Sequence, residues 1–363
     1  MENAYDYLKV LEPAPDWIVG YIETPIAKIP IISTALSSTD KAGTIKIRLG
    51  IGRDNYKVPP GIYAVGKPDN TSPILVTANY KLTFDSLRCE LTGLNAWIAV
   101  VDTKGINVWC AAGKGTFGTT ELSGRISALR LGRLVTHNVL ILPQLAAPGV
   151  AAQVVFRLCG FRVVYGPVRA SDIKEFLSNG MKATVEMRKV SFGLKERVIL
   201  TPIELVHSIK PMLLIFLALL ALNLIVGKHP SISTAAYTAF LNFIPYLAAF
   251  LIGCVVVPVL LPWIPFRSFA LKGLLVGLLP AVYALLYPEV FGYYSASWLI
   301  RTAYMLIIPV VASFLSLSFT GSTTYTSLSG VKREMNYALK PYIAAVALGL
   351  IFLATDSIIR LLY

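Results

Sequence analysis

The apolar runs that fill the chain after Lys210 constrain its fold more than any other feature. Five segments, near 211–227, 237–263, 268–287, 297–319 and 340–361, each supply about the 20 apolar residues that a helix needs to cross a bilayer core. Most charged residues lie before Lys210. The whole chain is 55% hydrophobic and 15% charged, against roughly 45–50% and about 25% for a soluble domain. The sequence therefore divides into an N-terminal arm at 1–45, a soluble domain at 46–200 and an all-α transmembrane domain of five helices at 201–363.

Orientation follows from the loops. Lys189, Lys195, Arg197 and Lys210 precede the first span, Arg267 and Lys272 separate the second and third, and Lys332, Arg333 and Lys340 separate the fourth and fifth. The opposite loops hold Lys228 and the acidic, aromatic stretch 288–294. The positive-inside rule then puts the soluble domain and Lys332/Arg333 in the cytoplasm and Tyr363 outside, as a multi-pass protein of the inner membrane. No basic-then-apolar signal segment opens the chain, so the soluble domain is not expected to be exported. Arg301, near the outer end of the fourth span, either snorkels to the interface or faces the bundle interior. The formal charge of +13 reflects basic residues such as Arg188 crowding ahead of the first span. No Lys/Arg-rich run with interleaved aromatics occurs elsewhere, so nucleic acid is not an expected partner.

In the soluble part, short β-branched runs alternate with helical stretches. Strands are expected at 73–77, 97–102, 138–142 and 161–165, and helices at 84–94, 120–131, 150–158 and 172–177. The arm, with Pro13, Pro15, Pro25 and Pro30, reads as irregular. This alternation predicts a Rossmann-like α/β domain with a parallel sheet covered on both faces. Ligands of such sheets bind beyond the carboxyl ends of the strands, here 77–80, 105–118, 143–149 and 166–169.

Four cysteines, Cys89, Cys110, Cys159 and Cys254, have no paired spacing, which argues against a disulfide framework, a zinc site or an iron–sulfur cluster and fits a reducing compartment. The segment 105–118 is the most informative. Its Gly-Lys-Gly-Thr suggests a P-loop, but that motif needs a glycine where Val108 stands. Asn107 is instead a good N-cap for a short helix ending at Gly113, with Cys110 in its first turn. A helix N-terminus favours thiolate, the form that binds metals, and the small residues Ala111, Ala112, Gly113 and Gly115 leave room for a large flat ligand. The residues alone equally allow Cys110 to be a small buried hydrophobe.

The octapeptide Asn-Val-Trp-Cys-Ala-Ala-Gly-Lys at 107–114 resembles the signature of the mercury-methylating corrinoid protein family (HgcA). Further similarity lies at 58–61, 76–81, 142–145, 147–152, 165–170 and, in the membrane part, 320–330. The family's soluble domain is similar to the corrinoid-binding domain of the corrinoid iron–sulfur protein of the acetyl-CoA pathway. The resemblance implies a cobalamin-type corrinoid held base-off, with Cys110 as the lower cobalt ligand and the catalytic residue. It implies a cofactor site drawn from Thr77, Asn79, Tyr80, Asn107, Val108, Trp109, Cys110, Ala111, Ala112, Gly113, Lys114, Gly115, Thr116, Gln144, Leu145, Pro148, Gly149, Gly166 and Pro167. The reaction implied is methyl transfer from cobalt to mercury(II), forming methylmercury. A ferredoxin-like iron–sulfur protein is the implied electron donor and a methyl-folate system the implied methyl source.

Several readings stay open at this level. Thr77 and Asn79 could bond the corrin rim or cap a turn. Trp109 could wall the corrin or fill the core, Lys114 could meet the cofactor or solvent, and Gly166 and Pro167 could shape a tail pocket or an ordinary turn. The loop at 320–330 could dock the soluble domain or a partner, or simply join two helices. His137, His207 and His229 lack the Asp-x-His-x-x-Gly context of histidine-ligated cobalamin, so His137 is expected to be a satisfied structural histidine and His229 an interfacial one. The rival functions are a membrane-anchored corrinoid methyl carrier of one-carbon, acetyl-CoA-pathway metabolism, and a non-catalytic corrinoid-binding or transport module.

Overall fold

Runs of Ile, Val and Ala become strands buried on both faces, as a covered sheet requires. In the computed structural model, residues 14–226, 231–293, 296–323, 325–326 and 328–362 are described; Lys228, His229, Tyr294 and Tyr363 lie outside them. The chain divides into two compact units: the first runs to Val190 except for Arg48–Gly50, which groups with the second, from Ser191 onward.

The first unit contains β1 (Ile18–Glu23), β2 (Lys28–Ile32), α1 (Ser38–Arg48), β3 (Gly61–Val65), β4 (Ile74–Ala78), α2 (Lys81–Glu90), β5 (Ala96–Val101), α3 (Val108–Lys114), α4 (Thr119–Ala128), β6 (Val139–Leu142), α5 (Ala152–Cys159), β7 (Arg162–Tyr165) and α6 (Ile173–Ser178). Among the described residues seven strands form one sheet in the order β1-β2-β3-β5-β4-β6-β7. β5, β4, β6 and β7 run parallel, whereas β1 pairs antiparallel with β2 and β3 antiparallel with β5.

The sheet is therefore mixed, where a parallel one was expected. The supposed irregular arm supplies a hairpin and a helix, and β3 is an additional strand. Pro30 does not prevent pairing: it lies opposite Tyr21 in the β1–β2 hairpin, and β2 pairs with β3 through Ile31, the residue after it.

Strand alternation divides the core. Ile74, Val76 and Ala78 of β4, with Trp97, Ala99 and Val101 of β5, pack under Val108, Phe117, Leu122 and Val155 of the segment from α3 to α5. Leu75, Ile98, Val100 and Ile141 face Phe84 of α2 and Phe176 of α6. Burial of each Val, Leu, Ile or Phe among them contributes about 1.5–3 kcal/mol. On the α2 side a buried ion cluster ties α1 to α2. Lys81 Nζ contacts Asp40 at 2.6 Å and Asp85 at 2.7 Å, and Arg88 contacts the same two carboxylates, each at 2.7 Å.

The second unit is helical: α7 (Leu194–Val226), α8 (Ile232–Leu251), a π-helical turn at Ile252–Val256, α9 (Val257–Val259), α10 (Phe269–Leu286), α11 (Trp298–Ser318) and α12 (Leu328–Leu362). Among the described residues five helices, with α8 to α9 counted as one, are long and apolar enough to cross a membrane. The first and last begin well before their apolar runs, so Lys195, Arg197, Lys332 and Arg333 sit on helical turns rather than loops. Small residues let α11 meet its neighbours closely. A β-carbon at Gly273 would lie 2.6 Å from the Ser313 Cα, one at Gly277 2.7 Å from the Ala312 Cβ, and one at Gly253 2.5 Å from the Leu315 Cβ. Arg301 faces inward, donating to the Leu285 carbonyl at 2.7 Å and so capping the end of α10. Part of the loop at 320–330 lies outside the described residues; within it, Tyr325 packs edge-on against Phe192 at 5.9 Å.

Candidate functional site

The strand order reverses between β4 and β6: the chain leaves β4 for β5 on one side and returns to β6 on the other. A doubly wound sheet opens a crevice at that point, beyond the carboxyl ends of the strands. The segments that bound it here are 77–80, 102–107 and 143–149.

The short helix α3 starts behind the Asn107 cap as its sequence suggests, but it runs through Gly113 to Lys114 instead of ending at Gly113. Asn107 has extended backbone angles and its side-chain oxygen accepts from the Cys110 amide at 2.9 Å, while its carbonyl accepts from the Ala111 amide at 2.9 Å. Gly115 closes the helix in the left-handed region at φ 80°, which favours glycine. Val108, Ala111 and Ala112 are buried against the sheet. The opposite face is open: Trp109 is 41% exposed, so it is not a core aromatic, and Lys114 is solvated. A β-carbon at Gly113 or Gly115 would meet nothing within 4 Å. Cys110 sits at the boundary, half-buried, and among the described residues its sulfur has no hydrogen-bond partner.

The other cysteines differ. Cys89 and Cys159 donate to the carbonyls of Ser86 at 3.4 Å and Val155 at 3.2 Å, and burial pushes both thiols up, toward the uncharged form. Cys254 is buried beside Ser208 in the helical unit. His137 is fully used: its Nε2 pairs with the Ser72 carbonyl at 3.0 Å and its Nδ1 accepts from the Val139 amide at 3.2 Å.

The structure gathers part of the expected set around α3. The 3-10 turn Gln144–Ala146 after β6 packs on α3, and Gly149 touches it so closely that a β-carbon there would lie 3.0 Å from the Ala112 Cα and against the Phe117 carbonyl. Gln144 donates its amide to the Pro167 carbonyl at 3.4 Å, linking the ends of β6 and β7. Its side-chain oxygen is buried without a partner. Leu145 lies partly against the core, Pro148 is exposed, and Thr116 turns its hydroxyl back to the Ala111 carbonyl at 3.4 Å. Gly166 is buried, bonded to the Leu142 carbonyl at 2.7 Å, and Pro167 is buried beside it.

Three expected residues are placed differently. Alternation along β4 turns Thr77 toward the α2 face, away from α3. Tyr80 is buried where α2 starts and is bridged to Lys57. Asn79 is a tie rather than an open donor: its Oδ1 accepts from the Thr103 amide at 3.1 Å, the Thr103 hydroxyl at 2.9 Å and the Gly105 amide at 2.9 Å, and its Nδ2 donates to Asp102 at 2.9 Å. Asp102 and Thr103, which the sequence reading passed over, thus anchor the loop leading into α3. Lys104 and Gly105 both take positive φ there, a tight Asp-Thr-Lys-Gly turn that is the one local signal for it.

Among the described residues no group of three or more metal-ligating side chains occurs. A metal held here would bring its other ligands with it. A single half-buried thiol, an open face over Gly113 and Gly115, and the unpartnered Gln144 oxygen suit a flat macrocyclic ligand with polar rim groups.

Comparison with known proteins bears on this unit. The family model "CO dehydrogenase/acetyl-CoA synthase delta subunit" matches residues 42–177. The chain is similar to acetyl-CoA decarbonylase/synthase complex subunit gamma of Archaeoglobus fulgidus, 27% identical over 190 residues, covering 47% of this chain and 40% of the relative. The corresponding subunit of Methanopyrus kandleri is 33% identical over 130 residues, 34% of this chain and 27% of the relative. Subunit gamma 2 of Methanosarcina thermophila is 37% identical over 99 residues, 26% and 21% respectively. The chain spans less than half the length of these curated relatives, and the residues matched by the family model include Cys110.

Proposed function

We propose that the first unit binds a cobalamin-type corrinoid base-off, with the Cys110 thiolate as lower cobalt ligand, and that the chain is a membrane-anchored methyl carrier of one-carbon metabolism. The observation that carries the reading is Cys110, half-buried at the edge of the open face of a capped helix near the sheet's switch point. The similarity to acetyl-CoA decarbonylase/synthase subunits supports the one-carbon reading ahead of mercury. When bound, such a cofactor supplies a cobalt–methyl bond that can be made and broken. The protein's part is to hold and shield it. Asn107 fixes the Cys110 backbone, Trp109 and Lys114 stand exposed on the same short helix, and Gln144 offers a buried acceptor to a rim amide.

A second reading has mercury(II) as the methyl acceptor, which makes the chain a methyltransferase forming methylmercury. The octapeptide at 107–114 favours it. In either reading a methyl-folate system would supply the methyl group; with mercury(II) as acceptor, transfer of the methyl group as a carbanion equivalent would consume two electrons per turnover, so a ferredoxin-like electron donor also belongs to the proposal. The positive-inside rule supports a cytoplasmic first unit and an outside C-terminus.

The test is the optical spectrum of the purified, corrinoid-loaded full-length protein. A sulfur-ligated cobalt spectrum is expected for the wild type and its loss for Cys110→Ala; identical spectra would overturn the ligand assignment. Supplying the methylated protein with mercury(II) or with an acetyl-CoA-forming enzyme then separates the two acceptors.

A further inference from the structure

The helical unit holds a groove of about 1000 Å3 between α10, α11 and α12. Its mouth carries Arg267 and Arg333, and its wall is formed by Leu274, Leu278, Met305 and Leu306. Both arginines are exposed, and among the described residues neither forms an ion pair. Arg333 lies over the Tyr337 ring at 5.9 Å, and Tyr325 stands exposed at the same end. Glu334 lines the mouth as well, but its Oε1 is engaged, accepting from the Ser268 hydroxyl and the Ala270 amide at 2.6 Å each.

We propose that this groove binds an anionic phospholipid, its phosphate held by Arg267 and Arg333 and one acyl chain lying along the apolar wall. Three observations converge on that ligand. Guanidinium groups match phosphate oxygens in geometry and charge. Tyrosines are favoured at the level of lipid headgroups. From Arg333 to Ala345, both of which line the groove, α12 rises about 18 Å at 1.5 Å per residue, close to the roughly 15 Å depth of one leaflet. The charged end lies with the basic loops, on the side expected to face the cytoplasmic leaflet, where acidic lipids concentrate. A partner helix would match the apolar wall but would leave two arginines unpaired at the mouth.

The full-length protein in a zwitterionic detergent is titrated with phosphatidylglycerol and, separately, with phosphatidylcholine of the same chains, and bound lipid is read by native mass spectrometry. The wild type is expected to retain one phosphatidylglycerol with about tenfold preference over phosphatidylcholine. Arg267→Gln/Arg333→Gln should abolish the preference, and Leu274→Trp should weaken binding of both lipids, with circular dichroism showing each variant folded; the single Arg267→Gln serves if the pair misfolds. Inorganic phosphate should not compete. Equal binding of the two lipids, a preference that survives loss of the arginines, competition by phosphate alone, or a second polypeptide in the groove would each overturn the proposal.

Discussion

The Cys110 amide donates to the Asn107 side-chain oxygen at 2.9 Å, so the residue that starts α3 also fixes the backbone of its cysteine. Asn107→Ala removes the cap and should cost about 1 kcal/mol of stability. Asn107→Ser should restore most of it. The check is denaturant unfolding of the first unit's transition in the full-length protein, read with the Cys110 alkylation rate: Ala should alter both and Ser neither. An Ala variant as stable as wild type would show the cap to be dispensable.

Asn79 accepts three hydrogen bonds from the turn at Thr103 and Gly105. Asn79→Ala leaves buried donors unsatisfied, a loss of about 1–3 kcal/mol each at most. Hydrogen exchange at the Thr103 and Gly105 amides should accelerate well before exchange in β4 or β5. Unchanged protection at those two amides would contradict the assignment of Asn79 as the loop's anchor.

Gly149 presses on Ala112 and Phe117. Gly149→Val must push α3 outward, with an overpacking penalty of about 1–3 kcal/mol. On the proposed function, corrinoid affinity should fall while the helical unit's thermal transition stays where it is. Retention of wild-type affinity would mean that α3 need not sit against this turn.

Burial opposes ionisation of Asp40, yet hydrogen bonds from Lys81, the Ser37 amide and Arg88 prevail and hold its carboxyl well below the ordinary value of 3.8. A depressed folded value stabilises the protein above the unfolded value, and that contribution shrinks progressively as pH falls from about 4 toward the folded value. Asp40→Asn should flatten this acid dependence and, by breaking a buried ion cluster, destabilise the first unit at neutral pH by about 3–5 kcal/mol. Unfolding midpoints measured from pH 7 down to pH 3 give the comparison; parallel curves for wild type and variant would refute it.

Burial also pushes the Cys89 and Cys159 thiols up, toward the uncharged form. Both should therefore alkylate slowly at neutral pH and faster in alkali, and Cys159→Ala should leave methyl transfer nearly unchanged. Mass mapping of iodoacetamide adducts against pH follows each sulfur separately.

Much of this protein is legible without coordinates. The positions of β4, β5, β6 and β7, of α4 to α6 and of the five apolar helices follow from runs whose composition and period are local properties. So does the cap of α3, because Asn107 and Cys110 are three residues apart and need nothing else to meet. The hairpin of β1 and β2 and the antiparallel β3 were not legible. A strand buried on both faces reads the same in either direction, and its partner is chosen by packing across many residues.

The site divides along the same line. By itself the sequence determined that a capped helix with a lone cysteine follows β5, because capping, turn and helix are interactions within one short segment. Only the tertiary structure decided that Gly149 and Gln144 close on that helix, that Thr77 turns to the other face of the sheet, and that Asn79 holds a loop about 25 residues away in sequence. Those relations depend on strand order and on the side to which each pleat points, which the sheet sets as a whole.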